Sequence, residues 1–270
     1  MAKKRILVLY YSQTGQLERL VQSAISPIIG DDQFEITLEK ISSTESFKFP
    51  WSFITFFDTF PECVYMDAPP INKPKAEETK YDLIILAYQV WFLSPSLPTT
   101  GLLQSEFAKK AFKDTPVITL IGCRNMWLMA QEKVKKALTD LGANLIDNIV
   151  VIDRGGSLAN FITVTRWLLT GKNDKLFGVF PKPGISDEDI EQASRFGTAI
   201  KKALTNTENK LNSPILKGYK AVTVDESLIF SEKTGHRMFK AWGKIIRKVG
   251  PRKSVRRKPL VIAFAIYLAL

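Results

Sequence analysis

A chain of 270 residues that is 45% hydrophobic, with 15 Gly and 14 Pro, has the length and apolar content of one large α/β domain with an appendage, and it excludes a low-complexity or fibrous protein. Two cysteines, Cys63 and Cys123, give neither metal-ligand spacing nor a disulfide framework, so a reducing cytosol is expected and no metal site. The formal net charge is +11, yet nine of those charges (Lys240, Lys244, Arg247, Lys248, Arg252, Lys253, Arg256, Arg257 and Lys258) lie in one acid-free stretch, which leaves the rest near neutral and argues against a nucleic-acid-binding surface. The basic N-terminus runs into an apolar stretch that ends at a polar loop, which reads as a first core strand and not a signal peptide.

That strand covers residues 6–11. Ser12, Gln13, Thr14, Gly15 and Gln16 follow, and then Leu17, Leu20, Val21 and Ile25 fall near helical spacing. A buried strand turning through hydroxyl, amide and glycine residues into a helix N-terminus makes an anion cradle, because orphan N–H groups and the helix dipole both favour negative charge there. The plainer alternative is an ordinary strand–turn–helix. A second strand is expected at residues 34–41. Residues 47–60 are dense in aromatics and broken by Pro50, which predicts a loop with a short helix, either a core-packing insert or a wall of an apolar pocket. Pro69, Pro70 and Pro74 mark a surface stretch.

Residues 81–88 (YDLIILAY) read as a strand buried on both faces, ending in the aromatic loop Gln89, Val90, Trp91, Phe92. Residues 116–122 form the next strand, ending in Cys123, Arg124, Asn125, Met126 and Trp127. An amphipathic helix closed by Gly142 follows, with Asn125 as its candidate cap. Residues 145–153 supply a fifth strand, followed by Arg154, Gly155 and Gly156. Residues 160–169 read as an apolar helix over the crevice, residues 180–184 as a turn, and Ser186 with Asp189 as the N-cap of a helix reaching about Leu204. Beyond it only a short strand or hairpin, residues 220–224 with 227–230, is expected. The strand–helix alternation predicts a doubly wound parallel α/β sheet of order 2-1-3-4-5, whose loops at residues 12–17, 89–97 and 123–127 converge at the carboxyl ends of the strands.

The first loop resembles the FMN-phosphate loop of flavodoxins, S/T-x-T-G-x-T, with Leu17 where that family has its last hydroxyl. The resemblance implies FMN as cofactor and a flavodoxin-like fold. The candidate cofactor contacts are then Ser12, Gln13, Thr14, Gly15, Gln16, Leu17, Gln89, Val90, Trp91, Phe92, Cys123, Arg124, Asn125 and Trp127. Trp91 either stacks on the flavin ring, as an aromatic in that loop often does in the family, or packs beneath its own loop. Arg124 is the candidate catalytic residue, a permanent cation for a reduced flavin or a substrate enolate, against the alternative of a surface ion pair. Cys123 is a second candidate, as a thiol activated at a helix N-terminus. The single histidine, His236, sits in the polar stretch SEKTGHR, read as a turn remote from these loops, so no His-based triad is expected.

Four separated motifs, YYSQTGQL, VWFLSPSLP, GCRNMWLMAQEK and FPKPGISD, together resemble the bacterial dialkylresorcinol-condensing-enzyme family, flavodoxin-like proteins of aryl-lipid and flexirubin-type pigment clusters. The resemblance implies a role beside a ketosynthase partner and a hydrophobic small-molecule substrate. One histidine and two cysteines cannot furnish ketosynthase machinery, so the expected activity is aromatisation of a dialkylcyclohexanedione to a dialkylresorcinol by a flavin-dependent oxidoreductase. The alternatives are an electron carrier or NAD(P)H:quinone oxidoreductase at the membrane, or a non-catalytic scaffold for the ketosynthase. Residues 1–205 are expected to form the flavodoxin-like domain, 206–238 a connecting segment, and 239–270 a basic amphipathic, apolar-ended tail. The apolar run 260–270 is too short to span a bilayer, and Phe239, Trp242 and Ile246 fall on one helical line, so the tail is expected to bind the anionic inner face of the cytoplasmic membrane. The alternative is a buried C-terminal helix with a solvated basic face.

Overall fold

A computed structural model describes residues 3–76, 80–154, 157–178, 180, 182–206 and 211–269. Five strands lie parallel: β1 (Lys4–Tyr10), β2 (Phe34–Lys40), β3 (Leu83–Trp91), β5 (Pro116–Cys123) and β6 (Asn144–Ile152). The two-residue β4 (Ser94–Pro95) turns back antiparallel on the end of β3. The sheet order is β2-β1-β3-β5-β6 with β4 off this path, so the five parallel strands alone run 2-1-3-4-5. This is the doubly wound, flavodoxin-like arrangement expected from the alternation of strands and helices.

The apolar strands are continuous because helices cover both faces. Ile6, Val8 and Tyr10 point into one layer, with α1 (Gln16–Ile25), α7 (Asp187–Glu191) and α8 (Ser194–Thr205). Leu7 and Leu9 point into the other, with α3 (Leu97–Leu103), α4 (Glu106–Ala111) and α5 (Leu128–Asp140). Ser186 caps α7 through the Asp189 N–H at 3.0 Å. Gly142, at φ +70°, closes α5 by donating its N–H to the Thr139 carbonyl while Ala143 donates to Leu138. The helix expected at residues 160–169 is α6 (Ser157–Thr170); the Gly155–Gly156 pair before it lies outside the described residues.

Several expectations fail. The helix opened by Ser186 does not run unbroken to Leu204: a turn at Gln192 and Ala193 separates α7 from α8. The strand or hairpin at residues 220–230 does not form. The segment instead borders β6, where Val150 N–H donates to Ala221 O at 2.8 Å and the Asp147 carboxylate accepts from Ile215 and Leu216 N–H. Asp225 then opens a short 3₁₀ turn by accepting from the Ser227 N–H. Nor does the chain turn at SEKTGHR: α9 runs unbroken from Ile229 to Val249 and carries all of that stretch.

The C-terminal segment is packed into the molecule. α9 and α10 (Lys258–Ala269) clasp α2 (Phe53–Tyr65), burying Phe57, Phe60 and Val64 against Ile246, Val261 and Phe264. Phe60 and Phe264 stack with centroids 3.8 Å apart. The line Phe239, Trp242 and Ile246, expected to face lipid, therefore faces α2. Several cations counted as membrane-facing are spoken for as well. Arg257 is fully buried and forks onto Glu62 at 2.8 and 3.1 Å with Asp58 at 3.2 Å. Arg252 and Lys253 pair with Glu45, and Arg247 with Asp67 at 2.5 Å. No helix among the described residues is long and apolar enough to cross a membrane.

Candidate functional site

The loop from β1 to α1 has the geometry of an anion cradle. Gly15 is the N-cap of α1 and sits at φ +82°, a left-handed conformation that glycine adopts without strain. A side chain there would project into open space, with no atom within 4 Å. The Ser12 hydroxyl is buried and has no hydrogen-bond partner among the described residues, which marks a place where a ligand acceptor or donor is wanted. Thr14, Gly15 and Gln16 line an open cavity of about 620 Å³.

The loop is held from three sides. Gln13 donates its backbone N–H to Gln89 Oε1 at 3.2 Å, tying it to the end of β3. Its side-chain amide accepts from Trp51 Nε1 at 2.9 Å and donates to Phe47 O at 3.3 Å. The Gln16 amide pairs with the backbone of Ile185, donating and accepting at 3.1 Å each. Leu17 turns away into the core, packed on Gly122, because its position belongs to the apolar face it shares with Leu20 and Val21. Its side chain does not face the cavity.

The cavity wall holds residues that the motif did not indicate. Arg19, one turn into α1, reaches Asp187 at 2.7 Å, and Arg154 reaches Asp189 at 2.6 Å; Lys182 lines the same space. Asp153, at the end of β6, is buried and accepts from the Gly184 N–H at 2.8 Å. Arg124 follows the end of β5 and is not among the residues that line the cavity, but its charge is felt by way of Asp153, which does line it. Burial pulls the Arg124 guanidinium pKa down, and the Asp153 carboxylate opposes that shift. Trp167 of α6 supplies the cavity's aromatic surface.

Trp91 is placed differently. Its ring stands edge-on to Tyr11, Phe47 and Trp51, at centroid distances of 5.8, 5.4 and 5.2 Å, the packed arrangement that was the second reading of this residue. Phe92 and Leu93 both occupy the left-handed region, at φ 50° and 56°, as the two central residues of the β3–β4 turn. Phe92 consequently points toward Phe56, Phe60 and Phe239, away from the cavity. Val90 and Trp127 pack in the core beside α5.

Asn125 does not cap α5. The N-cap is Trp127, with no side-chain cap of its own, and the N–H of Met129 is taken at 2.7 Å by Glu232 of α9. This carboxylate also governs Cys123, whose thiol is pushed up first by burial and then by Glu232. Cys123 is thereby held as a neutral thiol, contrary to the expectation of activation at a helix N-terminus. His236, one turn beyond Glu232, is buried, and Gly235 beside it lies against Leu93; the histidine is next to the β3–β4 turn and not remote from it. Its pKa is lowered to about 4 by burial, then by Lys133 and Lys240, which keeps it neutral at pH 7. Lys133 donates to Val64 O at 2.8 Å and Ser94 Oγ at 2.7 Å, and burial brings its ammonium down to about 8.

No family model and no curated protein matches this chain. Among solved structures, a flavoprotein in complex with FMN from Lactobacillus acidophilus aligns at 19% identity over 54% of this chain and 93% of its own, with a TM-score of 0.40. A flavodoxin from the domain Archaea aligns at 9% identity over 75% and 99%, with a TM-score of 0.41. Oxidised flavodoxin 1 from Bacillus cereus aligns at 12% over 74% and 98%, at 0.39. These likenesses stop at the general fold, and the site above stands on this chain's own residues.

Proposed function

We propose that this chain is an FMN-dependent oxidoreductase that aromatises a dialkylcyclohexane-1,3-dione to a dialkylresorcinol. The observation that carries the cofactor is the unpartnered Ser12 hydroxyl beside a left-handed Gly15 at the open N-terminus of α1. Thr14, with the backbone N–H groups that begin α1, would hold the phosphate. Arg19 and Lys182 would supply positive charge from the wall, and the Trp167 ring a flat surface. FMN, when bound, supplies the two-electron acceptor.

The substrate reading rests on the sequence resemblance and on the chemistry of the carboxyl ends of β5 and β6. The two carbonyls of a 1,3-dione acidify the ring C–H bonds, so the oxidation needs a base to take one proton and a hydride acceptor, which bound FMN would be, while the protein would orient the ring and stabilise the oxygen on which negative charge develops. Arg124 suits that role as a guanidinium cation, a group that is not deprotonated in proteins. The dione would be delivered by a ketosynthase that joins two acyl chains.

Anaerobic mixing of FMN-loaded protein with the dione should bleach the flavin band at roughly 450 nm and yield the resorcinol. A flavin-loaded protein that leaves the dione untouched but oxidises NAD(P)H with a quinone would make it a quinone oxidoreductase. A colourless protein that takes up no FMN would leave the scaffold role.

A further inference from the structure

α9 is 21 residues long, or about 31 Å at the helical rise. Its inner face is consumed by contacts with α2, α5 and the β3–β4 turn. Its outer face carries Lys233, Arg237, Lys240, Lys244 and Lys248, at i, i+4, i+7, i+11 and i+15, all exposed. Among the described residues none of the five takes part in an ion pair; the neighbouring acids Glu45, Asp58, Glu62 and Asp67 engage Arg247, Arg252, Lys253 and Arg257. Like charges three and four residues apart weaken a helix by a few tenths of a kcal/mol per pair. A stripe of five without compensating acids therefore belongs to an external anion.

Exposed apolar residues accompany the stripe. Ile245 and Val249, 50% and 37% exposed, lie on the flank of α9 beside the stripe, on the side of Met238 and Trp242. Tyr267 of α10 lies against Met238 and Trp242 and is itself 43% exposed, with Ile266 next to it at 57%. We infer that the outer face of α9, with the outer edge of α10, docks on an anionic lipid bilayer. A phosphodiester backbone has no use for exposed Ile, Val and Tyr beside the cations, whereas the headgroup region of a bilayer accepts both kinds of side chain. The contact is surface apposition: Phe239, Trp242 and Ile246, the residues that would insert, are engaged with α2. Because α9 also touches the β3–β4 turn, docking sets the carboxyl-end loops close to the membrane, where a substrate with two alkyl chains partitions. The surface lies outside the flavin cavity, so it is tested separately from the reading above.

The full-length protein is sedimented with vesicles of phosphatidylcholine containing about one-third phosphatidylglycerol, and with pure phosphatidylcholine vesicles. Binding should require the anionic lipid and fall with salt. The triple variant Lys240→Gln, Lys244→Gln, Lys248→Gln should partition on the order of a hundred-fold more weakly. The charge-matched control Lys75→Gln, Lys109→Gln, Lys202→Gln, all exposed on other faces, should bind like the parent. All three proteins should melt alike and take up FMN to the same extent. Equal binding by the two triple variants, or equal binding to neutral vesicles, overturns the proposal. So does retention on a DNA duplex that the stripe variant loses while vesicle binding persists.

Discussion

Ser12 and Gly15 separate a functional role from a structural one. A buried hydroxyl without a partner is a net cost to the folded apoprotein, so Ser12→Ala should leave its stability unchanged or slightly raised. If the hydroxyl serves the phosphate, the same change should weaken FMN binding by about 1.5–3 kcal/mol, the worth of a hydrogen bond to a charged group. Gly15→Val should abolish binding, since a β-branched residue resists φ +82° and would project into the open space of the cradle. Chemical denaturation of the apoprotein and FMN fluorescence titration check both; loss of stability in step with loss of binding would reduce the loop to a structural turn. Thr14 and Gly15 were legible because an anion cradle is local, written within five consecutive residues. Arg19, Asp153 and Lys182 were not, because the turn that completes the wall meets Gln16 across 169 residues of sequence. Leu17, where the flavodoxin loop has a hydroxyl, belongs by its spacing with Leu20 and Val21 to the core.

At the scale of elements, apolar runs and periodicity found the five strands and α1 and α5, and the Ser186 cap found the start of α7, although not the turn that separates it from α8. Periodicity missed the first half of α9, because Ser231, Glu232, Lys233, Thr234 and Gly235 have the composition of a turn. Tertiary contacts override that preference: Glu232 caps α5, and Gly235 admits Leu93. The buried His236 gives this junction a pH signature. Its folded pKa of about 4 lies below the ordinary 6.5, so between those values the unfolded chain binds a proton that the folded chain refuses. The histidine therefore subtracts stability as pH falls from 6.5 toward 4. Glu232 acts in the opposite sense, since burial raises its pKa and the folded state holds its proton more readily. A comparison with His236→Gln isolates the first effect. The variant should lose less stability than the parent on going from pH 7 to pH 4.5, measured by denaturant midpoints, and parallel curves would show that the imidazole is not held neutral.

For the whole molecule, the decisive feature is that the C-terminal helices form a layer over α2 and are not a detachable tail. Composition alone could not reveal this, because the acids that neutralise the basic stretch are Glu45, Asp58, Glu62 and Asp67, about 180–210 residues earlier in the chain. Arg257 is the centre of the attachment. Burial pushes the Asp58 and Glu62 carboxyls upward, and the guanidinium pulls them back. Removing one partner of such a group leaves uncompensated buried charge, which typically costs about 3–5 kcal/mol, whereas replacing all partners with apolar residues can be close to neutral. Arg257→Met should therefore destabilise the protein by about that amount at pH 7, with the loss shrinking as pH falls and the two carboxyls take up protons. Adding Glu62→Gln to Arg257→Met should recover part of the loss, because it removes one of the stranded charges. Deleting residues 229–269 goes further, exposing Phe57, Phe60 and Val64 together with Asp58 and Glu62, and should yield a chain that aggregates. A truncated protein that stays monomeric in size-exclusion chromatography and melts at the parent's temperature would show that the sheet domain stands without its C-terminal layer.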